Sequence, residues 1–245
     1  MPKITALLAF RNEERYLPGF FAHLQPYVSE FVVFDDGSTD RSAEVARAQP
    51  RAVVLSRTHE RSYPPHYFEV DNRRTLLHAA LERAAEWVLC CDADERYELD
   101  FLRRLREITA AGRLCAFALK VRDLWDSVDA YRVDGYWGDK AKYVLFPLTP
   151  FTTYHPSHAL HTRWMPPHVE CCPENILDFN IYHLVSLRRE ARAARLRKFK
   201  QIDPDSVYQP RIGYDYLADE SGLATEKIPP GKEFELLPQD RHLFE

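Results

Sequence analysis

Residues 88–96 read Val-Leu-Cys-Cys-Asp-Ala-Asp-Glu-Arg, with four apolar residues running without interruption into two aspartates and a glutamate. A run with no polar face has nothing to offer water, so it belongs in a strand covered on both sides. It is one of a series. Residues 4–10, 31–34 and 52–55 are similar apolar runs, and the first two also stop in polar clusters, Arg11-Asn12-Glu13-Glu14 and Asp35-Asp36-Gly37-Ser38-Thr39-Asp40. Helical patterns fill the gaps. Leu17 to Leu24 carries Pro18 near its start, and Ser42 to Ala48 follows N-capping residues. Asn72 to Glu86 repeats apolar residues at Leu76, Leu77, Ala80, Leu81 and Ala84, and Leu99 to Ala111 is closed by Gly112. Residues 116–121 and 142–146 are further strand candidates. Alternating strands and helices predict an α/β fold with a mainly parallel central sheet flanked by helices. Such sheets take ligands outside the carboxyl ends of their strands. The polar stops are therefore expected to converge on one crevice.

The texture changes along the chain. Residues 1–122 form the α/β core. Residues 123–185 are dense in aromatics, proline and histidine, and read as an irregular region completing the same domain. Residues 186–224 hold a basic C-terminal helix, from about Ser186 to Ile202, and an extension; residues 225–245 read as an extended tail. A net charge of −4 gives no case for nucleic acid. The first apolar run is too short for a signal peptide or membrane span, and no other run approaches one, so a soluble cytoplasmic protein is expected. The five cysteines include two adjacent pairs, unsuited to zinc knuckles, and are expected reduced and mostly buried.

In an extended chain, residues two apart point the same way, so Asp92 and Asp94 can face one ligand together. Paired carboxylates suit a hard cation such as Mg²⁺ or Mn²⁺. An acidic surface turn is the bland alternative for a lone Asp-x-Asp.

Three segments, LLAFRNEERYLPGFF, FVVFDDGSTDRSAEVA and WVLCCDADER, in this order and spacing, resemble the family 2 glycosyltransferases of the GT-A fold. The resemblance spans Leu7 to Arg96 and continues more weakly to about His183. It implies an inverting, metal-dependent enzyme that moves a sugar from a nucleotide-sugar, a UDP-sugar being commonest, to a hydroxyl acceptor in cell-surface glycan or glycolipid synthesis. It further implies that Phe10, Arg11 and Glu13 line the nucleotide pocket and that Asp35 and Asp36 meet base and ribose. Arg74 stands near the donor, although Thr75 replaces the more usual asparagine. Asp92 contacts ribose or bound water, and Asp94 ligates Mn²⁺ or Mg²⁺ under the diphosphate. His183, in Ile-Tyr-His-Leu, stands where a histidine often completes the metal site. Inversion requires a general base for the acceptor hydroxyl. Glu170, in Met-Pro-Pro-His-Val-Glu beside His168, is the candidate, and Asp139 is the runner-up; either could also be a surface charge.

Tyr136, Trp137 and Trp164 could stack on an acceptor sugar or pack a small satellite core. The basic helix could touch an anionic membrane surface from the cytoplasmic side, sit near the donor diphosphate, or form a solvated face. Two other functions compete: a sugar-phosphate nucleotidyltransferase, disfavoured by the absence of glycine after the first strand, and a catalytically inactive nucleotide-sugar binding module.

Overall fold

The structure is a computed structural model, and it describes residues 2–57, 67–111, 115–150, 152–154, 164–166, 169 and 175–244. The four apolar runs are strands: β1 (Ile4–Phe10), β2 (Glu30–Asp35), β3 (Ala52–Ser56) and β4 (Trp87–Cys91). They pair in parallel as β3-β2-β1-β4 and are connected through α1 (Leu17–Leu24), α2 (Ser42–Arg47) and α3 (Tyr67–Glu82). Further strands β5 (Glu95–Tyr97), β6 (Phe117–Asp123), β8 (Ala141–Pro147) and β9 (Asn175–His183) extend the sheet to eight, in the order β3-β2-β1-β4-β8-β6-β9-β5. Helix α4 (Leu99–Ala110) follows β5, and α5 (Arg189–Ile202) follows β9. A separate two-stranded ribbon joins β7 (Ala130–Arg132) to β10 (Thr225–Lys227).

The sheet is covered on both faces. Ala6, Leu8, Val33, Leu89 and Cys91 pack with α1 and α4 residues such as Phe20, Phe21, Phe101 and Leu105. The alternate residues Leu7, Val32, Val88 and Cys90 pack with Leu76, Leu77 and Ala80 of α3. Two-sided burial is the reason these strands are uniformly apolar. Cys90, Cys91 and Cys115 are buried free thiols; Cys171 and Cys172 lie outside the described residues.

Strand β8 runs antiparallel to β4 and β6, and β9 runs parallel to β6. The carboxyl ends of β1, β2, β4, β6 and β9 therefore all reach one edge, where β5 and β8 begin. The turn Asp92-Ala93-Asp94 leaves β4 at that edge and enters β5, which pairs not with β4 but with β9 at the far end of the sheet order. This crossing places a turn made of acids over the sheet's edge.

Three local differences from the sequence reading have physical causes. Helix α3 stops at Glu82 rather than Glu86 because Ala84 takes φ 55°, a left-handed turn that releases the chain into β4. A strand at Asn175–His183 was not expected, since Asp178 and Asn180 interrupt its apolar pattern. Asn180 is satisfied by tertiary partners: its backbone and side-chain N–H groups donate to Glu98 Oε2 at 3.0 and 2.9 Å, and its Oδ1 accepts from Arg122 Nε at 3.1 Å. The basic helix starts three residues late, after a 3₁₀ turn at Leu184–Leu187 and an extended Arg188.

The segment from residue 225 onward has little regular structure, yet it is tied to the core. Beyond β10, Lys232 O accepts the Tyr182 hydroxyl at 2.5 Å, Glu233 O accepts Leu99 N–H at 3.0 Å, and Phe234 and Leu243 are buried. No helix among the described residues is long and apolar enough to cross a membrane.

Candidate active site

The edge is assembled from both ends of the sheet order. On the β1–β2 side, Phe10 pairs with Asp35, and Asp36 N–H donates to Phe10 O at 2.9 Å. Both aspartates are buried. Asp35 Oδ1 accepts Ser38 N–H at 2.8 Å, and Asp36 Oδ1 binds Arg57 Nε at 2.7 Å. The loop after β1 is stitched to the one after β2: Asn12 Oδ1 accepts Thr39 N–H at 2.7 Å, and Ser42 Oγ accepts Glu13 N–H at 2.7 Å. These cross-links explain why both polar stops read so strongly in the sequence. Each loop satisfies the other's backbone groups.

At the centre, Asp94 Oδ2 lies 3.0 Å from His183 Nε2, and the other ring nitrogen, Nδ1, lies 3.0 Å from Asp123 Oδ1. Asp123 is fully buried at the end of β6, directly opposite His183 in the parallel β6–β9 register. It also accepts Ser186 Oγ at 3.1 Å and forms an ion pair with Lys140. Asp92 does not join this group. Its Oδ2 binds Lys142 Nζ at 2.7 Å, and the same ammonium binds both oxygens of Glu95 at 2.8 and 2.9 Å. The two aspartates thus have different side-chain partners, Asp94 the His183 imidazole and Asp92 the Lys142 ammonium.

The electrostatics follow this division. Burial works to raise the Asp94 carboxyl, but the His183 cation outweighs it and holds Asp94 far below the usual carboxylate range. Burial works to lower His183, and Asp94 together with Asp123 outweighs it, raising the imidazole to about 9. Glu13 is pushed up to about 8, first by burial and then by the Asp94 charge.

The donor atoms at Asp94 and His183 fit a divalent ion. A carboxylate oxygen and an imidazole nitrogen are donor types that suit Mg²⁺ or Mn²⁺; the 3.0 Å contact between them is an ion pair, so a cation would take the place of the imidazolium proton. Asp123 behind Nδ1 fixes ring orientation and directs Nε2 at the site, the arrangement common to metal-bound histidines. No cluster of three or more His, Cys, Asp or Glu ligands occurs among the described residues. Two protein donors would leave the remaining positions of a bound Mg²⁺ or Mn²⁺ to water and substrate oxygens.

Arg11 is exposed beside the loop crossing. Arg74 points to solvent, ion-paired to Asp71 at 3.1 Å, whereas its neighbour Arg73 turns inward, 4.8 Å from the Trp164 ring centre. Asp139 is exposed, next to Lys140. Glu170 and His168 lie outside the described residues. Trp137 is buried with Trp125, Tyr214 and Leu217 in a satellite cluster, while Tyr136 is 50% exposed. Trp164 is buried in the main core.

The basic helix is partly spent on internal pairing: Arg192 is buried against Asp126 and Glu220, and Lys200 pairs with Asp215. Arg195 has no ion-pair partner among the described residues, yet its charge acts on Asp94, Asp123 and His183, and that of Lys198 acts on Glu13. Helix α5 thus presents cations to the acidic edge.

The sequence reading did not single out Asp123, Lys140 or Lys142. Asp123 had a signal, since it ends an apolar strand in the same way that Asp35 and Asp92 do. Lys140 and Lys142 had none, because a lysine near a strand start is ordinarily a solvated charge.

The sequence pattern of glycosyl transferase family 2 matches residues 5–163. The chain belongs to this family. No curated protein sequence matches it. Solved structures resemble it loosely. The 1–349 fragment of S. aureus TarS is 14% identical, with TM-score 0.47, covering 89% of this chain and 70% of that one. Glucosyl-3-phosphoglycerate synthase from Mycobacterium tuberculosis, in complex with Mn²⁺, UDP and glucosyl-3-phosphoglycerate, is 21% identical, with TM-score 0.36, covering 50% of this chain and 44% of that one. A mycobacterial protein of 19% identity and TM-score 0.36 is likewise matched over 42% of its length, so the likeness spans less than half of these mycobacterial chains.

Proposed function

We propose that this protein is an inverting, metal-dependent glycosyltransferase that uses a nucleoside diphosphate-sugar, with uridine as the nucleoside, and a hydroxyl acceptor. The observation that carries this reading is the Asp94–His183 pair at 3.0 Å, backed by Asp123, at the edge where five strand ends meet. Asp35 and Asp36 would meet ribose and base, with Phe10, Arg11 and Glu13 lining the same pocket and Arg74 at its margin. Asp94 and His183 would hold Mn²⁺ or Mg²⁺. When bound, the cation neutralises charge that grows on the diphosphate as it leaves. Arg195 would add a second positive charge to that group from the side of α5. Asp92, fixed by Lys142, would contact ribose or bound water.

In the reaction, the acceptor oxygen bonds to the anomeric carbon as that carbon's bond to the diphosphate oxygen breaks. The bonding pair leaves with the diphosphate, and a carboxylate takes the acceptor's proton. Glu170 and Asp139 are the candidates for that base. Within the basic helix Arg192 and Lys200 are paired internally, whereas Arg189, Arg197 and Lys198 are exposed; we place Arg195 at the donor site and leave membrane contact to the exposed cations.

Calorimetric titration with UDP, GDP and dTDP, each with and without Mn²⁺, tests the proposal. Metal-dependent binding of UDP, lost in Asp94→Asn, is expected. A folded protein that binds none of the three would make this an inactive member of the family.

A further inference from the structure

We infer that the acceptor is a glycan and that one of its pyranose rings is received on the Tyr136–Tyr216 pair beside Lys140. This rests on the glycosyltransferase reading and names the acceptor class and its subsite.

Position comes first. A nucleotide-sugar is linear: base, ribose, diphosphate, sugar. With base and ribose at the ends of β2 and β1 and the diphosphate at Asp94 and His183, the transferred sugar and its acceptor must lie further along the edge. The next elements there are the end of β6 and the segment leading into β8. That segment carries a 3₁₀ turn, Gly135–Trp137.

The aromatic surface there is built and held. The Tyr136 and Tyr216 rings meet edge to face, with centroids 5.2 Å apart and planes at 72°. Tyr216 rests on Trp137, 5.2 Å away, and Trp137 on Trp125, 5.4 Å away; both tryptophans are 2% exposed. The neighbouring Tyr214 stacks on Phe199 of α5 at 5.0 Å and donates its hydroxyl to Asp203 at 2.7 Å. A rigid backing of this kind leaves little ordering entropy to be lost when a ligand arrives. Yet Tyr136 keeps half its surface in water. A ring needed only for packing would gain by turning into the cluster.

The platform is also wired to the reaction centre. Lys140 Nζ lies 4.2 Å from the Trp137 ring centre and 5.7 Å from that of Tyr136, and the same ammonium pairs with Asp123, which holds His183. Two side chains therefore separate the aromatic surface from the metal pair. A pyranose presents one face of polarised C–H groups, which suits the negative face of an aromatic ring, and a rim of hydroxyls. The exposed Tyr136 side chain brings a hydroxyl, and Lys140 Nζ lies beside its ring. A nucleobase could also stack, but the base belongs at the opposite end of the edge.

The test uses the full chain saturated with UDP and Mn²⁺. Methyl α- and β-pyranosides of glucose, galactose, mannose and N-acetylglucosamine, and their short oligosaccharides, are titrated while tryptophan fluorescence is followed. At least one should give a saturable change. Tyr136→Ala and Tyr216→Ala should each weaken it about tenfold, Tyr136→Phe should largely restore it, and UDP affinity should not move. Saturable binding that neither alanine variant alters would overturn the subsite. A protein that binds UDP with Mn²⁺ but no saccharide would overturn this inference and leave the proposed function standing. One that binds neither would overturn this inference together with the proposed function.

Discussion

Arg96 and Asp240 form a two-pronged ion pair, Nε to Oδ2 at 2.9 Å and Nη2 to Oδ1 at 2.7 Å, with neither side chain exposed. The same guanidinium donates from Nη1 to the carbonyls of Ala93 at 3.0 Å and Glu95 at 2.8 Å, on either side of Asp94, and from Nη2 to Tyr16 O at 3.1 Å. Asp240 thereby holds the turn that carries Asp94. Asp240→Ala would leave a buried cation without its partner, at a cost of about 3–5 kcal/mol. Urea unfolding should show this loss, and Asp240→Asn, which keeps one acceptor oxygen for the guanidinium, should lose less.

Gly19 of α1 permits that ion pair. A Cβ there would stand 1.9 Å from Asp240 Oδ1 and 2.6 Å from Arg96 Nη2. Alanine ordinarily favours a helix over glycine by about 1 kcal/mol. Here Gly19→Ala should destabilise instead, lowering the urea midpoint, because the clash falls on a pair that cannot move to solvent.

Asp123→Asn keeps the shape behind His183 but removes the charge that orients the imidazole and would strengthen it as the proposed ligand. Loss of such a partner typically costs about 10–100-fold in metal affinity. Mn²⁺ titration followed by electron paramagnetic resonance should show a fall of that size. An unchanged affinity would place the metal elsewhere.

Arg195→Ala should weaken UDP binding about tenfold, the equivalent of about 1.4 kcal/mol, and leave uridine binding unchanged. Raising the salt concentration should narrow the gap between variant and parent. Equal losses for UDP and uridine would show that Arg195 supports the pocket rather than the diphosphate.

His23 makes stability depend on pH. It is buried, its Nε2 accepts Tyr97 N–H at 2.8 Å, and burial, followed by the Arg96 charge, lowers it from 6.5 to about 3. The folded state holds it neutral while the unfolded state takes a proton below 6.5. Its contribution is therefore present above that pH and is lost as pH falls toward 3, at up to about 1.4 kcal/mol per pH unit. His23→Gln, which can still accept from Tyr97, should flatten the difference in urea midpoints between pH 7.5 and 4.5 relative to the parent. Parallel curves would count against a neutral buried histidine.

Much of the donor half was legible because its physics is local. The apolar runs 4–10, 31–34 and 87–91 could be read as covered strands, and the acids that stop them as a ligand edge, without knowing their neighbours. The resemblance gave Asp92 and Asp94 separate roles, but the partner that holds Asp92 was not legible. Alternation along a strand placed both on one side, but Lys142, about fifty positions away, takes one of them. Arg74 had the right neighbourhood in sequence, but the helix turns it to solvent and turns Arg73 inward. Strand β9 was hidden because its polar residues find partners in β6 and near the start of α4, which no window along the chain contains.

The sequence by itself determined the parallel α/β core, the polar strand ends and the family, since each depends on residue types repeated over a few positions. Only the tertiary structure decided that β6 and β9 bring Asp123 and His183 to the same edge as Asp94, that α5 turns Arg195 toward them, and that Asp240 anchors the turn between β4 and β5. These contacts join residues up to 144 positions apart. The pattern of one segment records which of its faces is buried, but not which distant charge will meet it there.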